Sequence, residues 1–495
     1  MKIYNTLTRA KEEFAPLRHG EVRMYVCGVT VYDLCHIGHA RSTLVFDVIR
    51  RYLEFKGYRV TYVRNFTDVD DKIIRRAQQE GVPSLEISER YIEEFRRDMA
   101  AIGVRAADVE PKATDHIPQM IALIERLVAG GFAYVVDGDV YFEIRRFPSY
   151  GRLSGKNLDE LLAGARVEVD ERKRDPRDFA LWKTAKPGEP SWASSWGPGR
   201  PGWHVECSAM AMQYLGESFD IHGGGEDLVF PHHECEIAQA EASTKKPFVR
   251  YWIHNAFVNT GAEKMSKSLG NTLAIREIVK RHNPDALRLW MLGTHYRHPI
   301  EWSEERAAEA HRALDRFRRL FDEASPAALR GVKEFLARTK GELTEPEAAA
   351  HLLAGLEDRQ LAGELTGCYT RFVESMDDDF NTAQALGALF DLSYALYQYR
   401  DAVSRGDVGT RSLVEGTYVL FLLCRVVGLL EGWYERSVLS PELQQEIESL
   451  VAQRDEARKH RDWKRADEIR SKLQGRGVSI EDTPAGTKWR LRSGV

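Results

Sequence analysis

Two short strings of this sequence combine residue types that bind phosphate groups. HIGH occupies residues 36–39, and KMSKS occupies residues 264–268. Each string places imidazole, ammonium or hydroxyl donors beside glycine or serine, at a point where a turn should meet a helix or a loop. Donors at two such points could grip a polyphosphate and neutralise the charge that develops during attack on its α-phosphorus.

The first string predicts a catalytic site that contains two imidazoles. His36 and His39 flank Gly38, which would let a nucleotide approach the backbone closely. A lone histidine is more often a surface or core residue than a phosphate ligand, but two histidines at a helix start favour a functional role. We expect both to donate to ATP phosphates, with Gly38 in the nucleotide site.

The second string predicts a mobile phosphate-binding loop. Lys264 and Lys267 supply ammonium groups, and Ser266 and Ser268 supply hydroxyl donors. A solvated surface loop is the alternative. A loop that closes its lysines over the leaving pyrophosphate would stabilise the transition state with little ground-state binding.

A third string, HGGGED at residues 222–227, could hold a ribose. Its consecutive glycines permit close backbone approach at Gly225, and the nearby Asp227 carboxylate can accept from ribose hydroxyls. Taken alone the string is weak, because three glycines also make an ordinary turn.

Length and composition indicate a multidomain globular protein. The chain has 495 residues, 43% of them hydrophobic and 29% charged, and we expect no membrane span and no signal peptide, hence a cytoplasmic protein. Six scattered cysteines without a CxxC pair argue against a disulfide framework. The net charge is −5, yet residues 454–495 carry 12 Lys and Arg against 7 Asp and Glu, which suggests a localised contact with a polyanion. The alternative is a solvated helix of mixed charge, and charge alone favours that alternative.

The apolar pattern predicts a Rossmann-like sheet. Residues 21–27 and 59–66 are typical of strands, and residues 39–56 have helical spacing. Strand, helix and strand over this length make a βαβ unit, so the fold class is α/β with a parallel sheet. Asp-Gly at 137–138 predicts a hairpin, and residues 170–201, rich in charge, Pro, Gly and Trp, are expected to form an insertion rather than sheet.

We expect five consecutive segments. They are a first Rossmann half (1–115), an inserted connective domain (116–200), a second Rossmann half with the KMSKS region (201–303), an α-helical bundle (304–435) and a small C-terminal α+β domain (436–495). In the last segment we expect one charged helix over 441–473 and then a β-like tail.

These strings together resemble one enzyme family. Besides HIGH and KMSKS, the matching segments are residues 25–33, 65–73, 202–210, 230–236, 376–382 and 465–470. The set is similar to the bacterial-type cysteinyl-tRNA synthetases of class I, over nearly the whole length. The resemblance implies activation of L-cysteine with MgATP to cysteinyl-AMP, followed by transfer to the 3′ adenosine of tRNA(Cys) by a monomeric enzyme.

The resemblance also implies an active-site zinc ion that binds the cysteine thiolate. Its ligands carried over to this sequence are Cys27, Cys207, His232 and Glu236. Residue type alone would favour buried, unliganded thiols, since Cys27 and Cys207 lie far apart in the chain. Thiolate, imidazole and carboxylate donors nevertheless make a sensible zinc set.

The same resemblance implies the rest of the substrate pocket. Gly28, Thr67, Trp203 and His222 would contact the amino acid, with a core position as the alternative for Trp203. Cys235 departs from the family, which commonly has Asn there, and we interpret it as a packing residue beside the metal site.

The basic tail resembles the family's anticodon-recognition domain, with Trp463 and Trp489 as candidate stacking planes, though Trp489 is the better core residue. Two other functions remain open. One is a paralogous ligase that joins cysteine to an amino sugar, which would not need this tail. The other is a catalytically silent RNA-binding paralogue, which would not need HIGH, KMSKS and all four zinc-type residues.

Overall fold

The structure is a computed structural model. It describes residues 1–156, 171–260, 263–264, 273–323, 345–431, 441–460, 462–476, 478–483 and 486–491. Its strands are β1 (Lys2–Asn5), β2 (Ala10–Glu13), β3 (Glu21–Val26), β4 (Arg59–Arg64), β5 (Ala133–Val136), β6 (Asp139–Phe142), β7 (Phe179–Thr184), β8 (Gly199–Pro201), β9 (Phe219–Gly225), β10 (Val249–Asn255), β11 (Val258–Thr260), β12 (Glu263–Lys264), β13 (Ile300–Trp302), β14 (Val478–Thr483) and β15 (Gly486–Leu491).

Helices flank the sheets and dominate the second half of the chain. They are α1 (Ile37–Phe55), α2 (Asp71–Glu80), α3 (Ser84–Ala101), α4 (Ile117–Ala129), α5 (Trp203–Leu215), α6 (Glu234–Thr244), α7 (Ile275–Arg281), α8 (Pro284–Leu292), α9 (Glu304–Glu323), α10 (Glu345–Gly355), α11 (Arg359–Asp377), α12 (Thr382–Ser404), α13 (Arg411–Val426), α14 (Pro441–Lys459) and α15 (Trp463–Gly475).

A parallel four-stranded sheet forms the centre of the N-terminal region, with the strand order β10-β9-β3-β4. In register, Tyr25 of β3 pairs with Val63 of β4 on one side and His222 of β9 on the other. Because α1 connects β3 to β4, the predicted βαβ unit is confirmed, and HIGH lies at the start of its crossover helix. In parallel sheets of this kind, ligands bind beyond the carboxyl ends of the strands.

The segment between the two halves of this sheet carries a sheet of its own. The hairpin β5-β6 around Asp137 and Gly138 is confirmed, and β7 and β8 extend it in the order β5-β6-β7-β8. The expectation that residues 170–201 avoid sheet structure was therefore wrong. Strand β7 buries Leu181 and Trp182 completely, so a short apolar run within polar surroundings finds its partner strand 40 residues away.

The helices α9 to α13 make the expected bundle, and its core is continuous with that of the parallel-sheet region. Buried side chains of α1 such as Phe46 and Tyr52 belong to the same apolar cluster as Leu389 of α12 and Leu420 of α13. The chain is thus an α/β protein with a parallel-sheet region, an insertion, a helical bundle and a small C-terminal α+β unit.

The C-terminal unit differs from expectation in its helices. The single helix expected over 441–473 is two helices, α14 and α15, followed by the hairpin β14-β15. The break has a local cause, because the side chain of Asp462 accepts a hydrogen bond from Arg465 N at 3.1 Å and caps a new helix. No helix in the described ranges has the length and apolarity needed to cross a membrane.

Candidate active site and metal centre

A cavity of about 470 Å³ opens at the carboxyl ends of β3, β9 and β10. Residues from separate parts of the chain line it; those predicted to act there are Cys27, Gly28, His36, Gly38, His39, Trp203, Gly225 and Asp227. The position matches the ligand-binding edge of an open parallel sheet.

The two histidines of HIGH cap helix α1, and we call this helix start with its two imidazoles the HIGH corner. His36 is the N-cap residue, and its Nδ1 accepts from Gly38 N at 3.1 Å, while His39 Nδ1 accepts from His36 N at 3.3 Å. The two rings stack with centroids 3.8 Å apart. A Cβ on Gly38 would lie only 2.9 Å from His36 Cε1, so glycine allows the imidazole to fold back over the helix start.

This capping geometry determines the imidazole tautomers. A nitrogen that accepts a backbone N–H carries no proton, so each neutral ring holds its proton on Nε2. His36 and His39 both line the cavity. In each ring the donor nitrogen is Nε2, and the nitrogen used in the cap is Nδ1. The Gly38 N–H itself is used in the cap, so the anion-binding capacity of this corner lies with the imidazoles.

Beside the cavity, four potential metal ligands converge. One donor atom from each of Cys27, Cys207, His232 and Glu236 lies within 4.8 Å of all the others. Cys27 follows β3, Cys207 lies on α5, His232 lies in the π-helical turn Val229–His233 that precedes α6, and Glu236 lies in the first turn of α6. All but Cys27 are buried.

The spacing of these donors fits zinc. Ligands 2.0–2.3 Å from a tetrahedral zinc ion stand roughly 3.3–3.8 Å from one another. Cys27 Sγ lies 3.3 Å from Glu236 Oε1, and His232 Nε2 lies 3.1 Å from the same oxygen. The thiol, imidazole and carboxylate set is also one that zinc accepts.

The protonation states of the cluster point the same way. Burial alone would raise the pKa of Cys207, but the hydrogen bond from Cys27 and the nearby His232 lower it to about 6. Burial likewise opposes ionisation of Glu236, yet His222 and His232 hold the pKa of its carboxyl well below the usual range. Thiolate and carboxylate then stand side by side out of water, an arrangement that a cation stabilises.

The remaining two ligands respond to this negative charge. Burial disfavours the imidazolium of His232, but Glu236 and Cys207 raise its pKa to about 10. Burial, Cys207 and Glu236 raise the pKa of the Cys27 thiol. A divalent cation would take the place of the protons on both groups.

His222, predicted as a substrate contact, lies on the far side of the cluster. Its Nε2 is 2.9 Å from Glu236 Oε2, and its ring stacks on Trp252 with centroids 4.5 Å apart. Cys27, His222, His233 and Glu236 make a second group of possible metal ligands within 4.8 Å. His233 was missed by sequence reasoning, although the His-His pair at 232–233 was a visible signal.

Two further histidines orient the ligands. His204 Nδ1 lies 2.9 Å from His232 Nδ1, which leaves the Nε2 of His232 facing Glu236. His254 bonds His233 Nδ1 at 2.8 Å. Neither residue was predicted, since only the tertiary structure brings them beside the cluster.

Gly28 and Thr67 are held by Asn65, another residue that the sequence did not suggest. Asn65 Oδ1 accepts from Gly28 N at 2.8 Å and lies 3.7 Å from Cys207 Sγ. Thr67 is buried, 3.5 Å from Asn65 Nδ2, and lies behind the cavity wall rather than on its surface.

At the cavity mouth, Trp203 is 40% exposed and packs on His232 with centroids 4.3 Å apart. Asp227 folds back toward Gly225, where an added Cβ would lie 2.5 Å from its Oδ1. Cys235 is buried with its Sγ 3.2 Å from Tyr150 OH and belongs to neither group of possible ligands.

The KMSKS string lies mostly outside the described residues. Lys264 ends β12, whose backbone pairs with β11, and Ser266, Lys267 and Ser268 are not among the described residues. Strand β11 begins three residues after β10 and lines the cavity at Val258, so the string follows directly from the cavity wall.

Comparison with known proteins agrees with this geometry. A family described as the class I (C) tRNA synthetase catalytic domain matches residues 13–312, a DALR domain matches 371–431, and a cysteinyl-tRNA ligase anticodon binding domain matches 440–490. The cysteine–tRNA ligases of Geobacter sulfurreducens and Pelobacter propionicus are 52% and 53% identical to this chain, over 99% of it and 100% of each relative.

Solved structures share the fold at low sequence identity. A methionyl-tRNA synthetase of Mycobacterium tuberculosis in complex with methionyl-adenylate has a TM-score of 0.55 and 16% identity, covering 82% of this chain and 89% of that one. A leucyl enzyme of Agrobacterium radiobacter, in a ternary complex, has a TM-score of 0.57 and 12% identity, covering 84% and 85%. The resemblance in fold and the full-length relatives together show that the chain belongs to the cysteine–tRNA ligase family of class I aminoacyl-tRNA synthetases.

Proposed function

We propose that this enzyme activates L-cysteine with MgATP to cysteinyl-AMP and pyrophosphate, then transfers the cysteinyl group to the 3′ terminal adenosine of tRNA(Cys). The observation that carries the proposal is a donor cluster with two thiols beside a cavity that the two imidazoles of HIGH also line. The donor cluster suits a thiol substrate and the imidazoles suit a polyphosphate.

The cysteine end of the site rests on four ligands. We propose that Cys27, Cys207, His232 and Glu236 hold one zinc ion, because their spacing and charge fit it. When bound, zinc would lower the pKa of the substrate thiol and hold it as the thiolate. Serine, nearly the same shape, would be rejected by ligand softness rather than by volume.

The pocket walls around this end belong to the same proposal. The exposed Trp203 would close over the amino acid, and Gly28 would leave room beside Cys27. His222 would act through its bond to Glu236, and Thr67 through Asn65, so both orient ligands from behind the wall.

The nucleotide end rests on the HIGH corner. His36 and His39 would donate from Nε2 to the phosphates, while Gly38 gives the rings their position over the helix start. Gly225 and Asp227 line the same cavity and would hold the ribose. The sequence adds Lys264, Ser266, Lys267 and Ser268, which we propose close on the ATP phosphates with Mg²⁺.

The C-terminal unit is proposed to read the tRNA anticodon. Trp463 opens α15 with 58% of its surface exposed, among basic residues such as Lys464 and Arg465. Trp489 instead packs against the small apolar core of this unit. An exposed tryptophan in a basic setting stacks unpaired bases. We further propose a monomer that acts in the cytoplasm.

The first experiment is charging of unfractionated tRNA with labelled cysteine in the presence of ATP and magnesium. Label that precipitates in acid only when RNA is present supports the proposal. Robust cysteine-dependent pyrophosphate exchange without RNA charging would favour the amino-sugar ligase. The match to an anticodon binding domain over residues 440–490 argues against that second function.

Zinc content tests the metal centre separately. We expect about one zinc ion per wild-type chain, loss of that zinc in Cys207→Ala, and a loss of discrimination between cysteine and serine. Cys424→Ala is the matched control, because Cys424 is equally buried but lies in the helical bundle. A Cys207→Ala protein with full zinc and normal discrimination would exclude the proposed site.

A further inference from the structure

The turn between α11 and α12 places a buried carboxylate in an unusual backbone conformation. Asp379 and Phe380 both have positive φ, +64° and +51°. The left-handed region is uncommon for a bulky residue such as Phe and persists only where the surroundings require it. Asp379 is also fully buried, so its carboxylate must be satisfied by the protein.

Four donors satisfy this carboxylate. Tyr4 N and Tyr296 OH lie 2.8 and 2.7 Å from Asp379 Oδ1, and Arg297 Nε lies 2.8 Å from Oδ2. His295 Nε2 is 3.5 Å from Oδ2. Because His295 Nδ1 accepts from Arg297 N, the proton of the neutral ring faces the carboxylate. Three of the four donors belong to one short segment, His295–His298, which we call the 295–298 turn.

Helix α1 also contacts the 295–298 turn, through Arg41. Arg41, two residues after HIGH, is buried, and its Nη2 lies 3.3, 3.4 and 2.6 Å from the carbonyl oxygens of His295, Tyr296 and His298. Within the part of the chain that the structure describes, Arg41 forms no salt bridge with a carboxylate. Through these three contacts its guanidinium links the N-terminal part of α1 to the 295–298 turn.

The turn also supports the cavity wall. The carbonyl oxygen of Tyr296 accepts from Ala256 N at 2.9 Å. Ala256 lines the cavity in the short link between β10 and β11, the strand that leads toward KMSKS. One turn thus joins the helix of the HIGH histidines, the wall that precedes KMSKS, and the helical bundle.

We propose that Asp379 is a positioning residue for adenylate formation. It does not touch the cavity, but it holds the 295–298 turn, and through that turn it sets the relation between the HIGH corner and the wall at Ala256. The inference rests on the proposed function, since it concerns the activation step. A displacement of about 1 Å between groups that hold a transition state is enough to slow a reaction roughly a hundredfold.

The neighbouring carboxylates provide controls. Asp377 bonds Tyr52 and Lys56 at the far end of α1, away from HIGH, and Asp378 is a half-exposed partner of Lys11. If the three acidic residues only fastened the bundle to the catalytic region, Asp377 and Asp379 would be equivalent. Only Asp379 reaches the turn that supports the cavity.

The experiment compares Asp377→Asn, Asp378→Asn and Asp379→Asn in cysteine-dependent pyrophosphate exchange, below the unfolding temperature of each protein. We expect Asp379→Asn to lower kcat roughly tenfold to a hundredfold, with KM for ATP and cysteine changed less than about threefold. Asp377→Asn should lower thermal stability but leave kcat near that of the wild type, and Asp378→Asn should change neither.

A double-mutant cycle with Arg41→Met checks the route. Because Asp379 and Arg41 act on the same turn without touching each other, their effects on kcat should be less than additive. The inference is overturned if Asp379→Asn retains full kcat, if Asp377→Asn lowers kcat as much, or if the two substitutions are additive. Absence of exchange in the wild-type protein would instead contradict the proposed function itself.

Discussion

Gly28→Ala gives a direct test of how tightly the site is packed around β3. A Cβ at this position would lie 1.6 Å from the carbonyl oxygen of Asn65, whereas ordinary contact begins near 3.4 Å, so the backbone must separate by about 1.8 Å. The obstacle is main chain, which cannot rotate away. Movement of Asn65 would also break its bond to Gly28 N and displace the neighbouring Cys27.

The magnitude follows from that distance. If misplacement by 1 Å costs roughly a hundredfold, a shift of this size should lower kcat/KM for cysteine in pyrophosphate exchange at least about a hundredfold, or about 2.7 kcal/mol. We expect most of the loss to concern cysteine, because the HIGH corner lies on another element.

Gly363→Ala is the matched control. It adds the same methyl group in helix α11, where nothing lies within 4 Å of the new Cβ, and it should leave exchange unchanged. The reasoning fails if Gly28→Ala exchanges pyrophosphate within about threefold of the wild type. It also fails if ATP affinity alone is lost.

Three other predictions concern separate parts of the molecule. Trp463→Ala should weaken tRNA binding by roughly 5- to 150-fold, the value of one stacked base, and leave pyrophosphate exchange unaffected. Asp47→Asn removes a buried carboxylate that bonds Arg51 at 2.8 Å and also contacts Arg288. The free energy of unfolding, measured with denaturant, should fall by about 3–5 kcal/mol. Adding Arg288→Met should recover part of that loss. Burial lowers the pKa of His295 to about 4. Between pH 6.5 and 4 the unfolded chain therefore binds more protons than the folded protein, and stability falls as pH falls. His295→Asn should make the melting temperature depend less on pH over this range.

Local patterns predicted the parts of the fold that are local in origin. Residues 21–27, 39–56 and 59–66 were assigned correctly to within about two residues. The two strands show as short apolar runs because a parallel sheet is covered on both faces, and the helix shows the 3.6-residue spacing of one buried side. The Asp-Gly hairpin could also be predicted from the sequence, since a two-residue turn fixes the register of the two strands that it connects.

Pairing between distant segments could not be predicted from local sequence patterns. Strand β7 is short and lies in a stretch dominated by charge, Pro and Gly, and its apolar run could have belonged to a loop. The break between α14 and α15 depended on whether Asp462 would cap a helix or lie within one, and the surrounding charged pattern fits either case.

The site shows the same division. HIGH was found from residue type and spacing, but the thiols of Cys27 and Cys207 were paired only through family resemblance, as 180 positions separate them. Asn65 and His204 were not predicted, because the role of each depends on contacts with residues distant in the chain, which leave no periodic pattern in the sequence. Contacts of this kind become visible only when the chain is folded.

The cap on helix α1 gives one imidazole two unrelated duties. His36 secures the first turn of the helix through Nδ1, while its opposite nitrogen, Nε2, carries the donor proton of the neutral ring. Activity lost on truncating His36 to alanine would therefore mix a frayed helix with a missing donor. Asparagine, a favoured N-cap that lacks the distal nitrogen, would keep the first duty and delete the second. At this position folding and turnover can be separated only by choosing the replacement side chain.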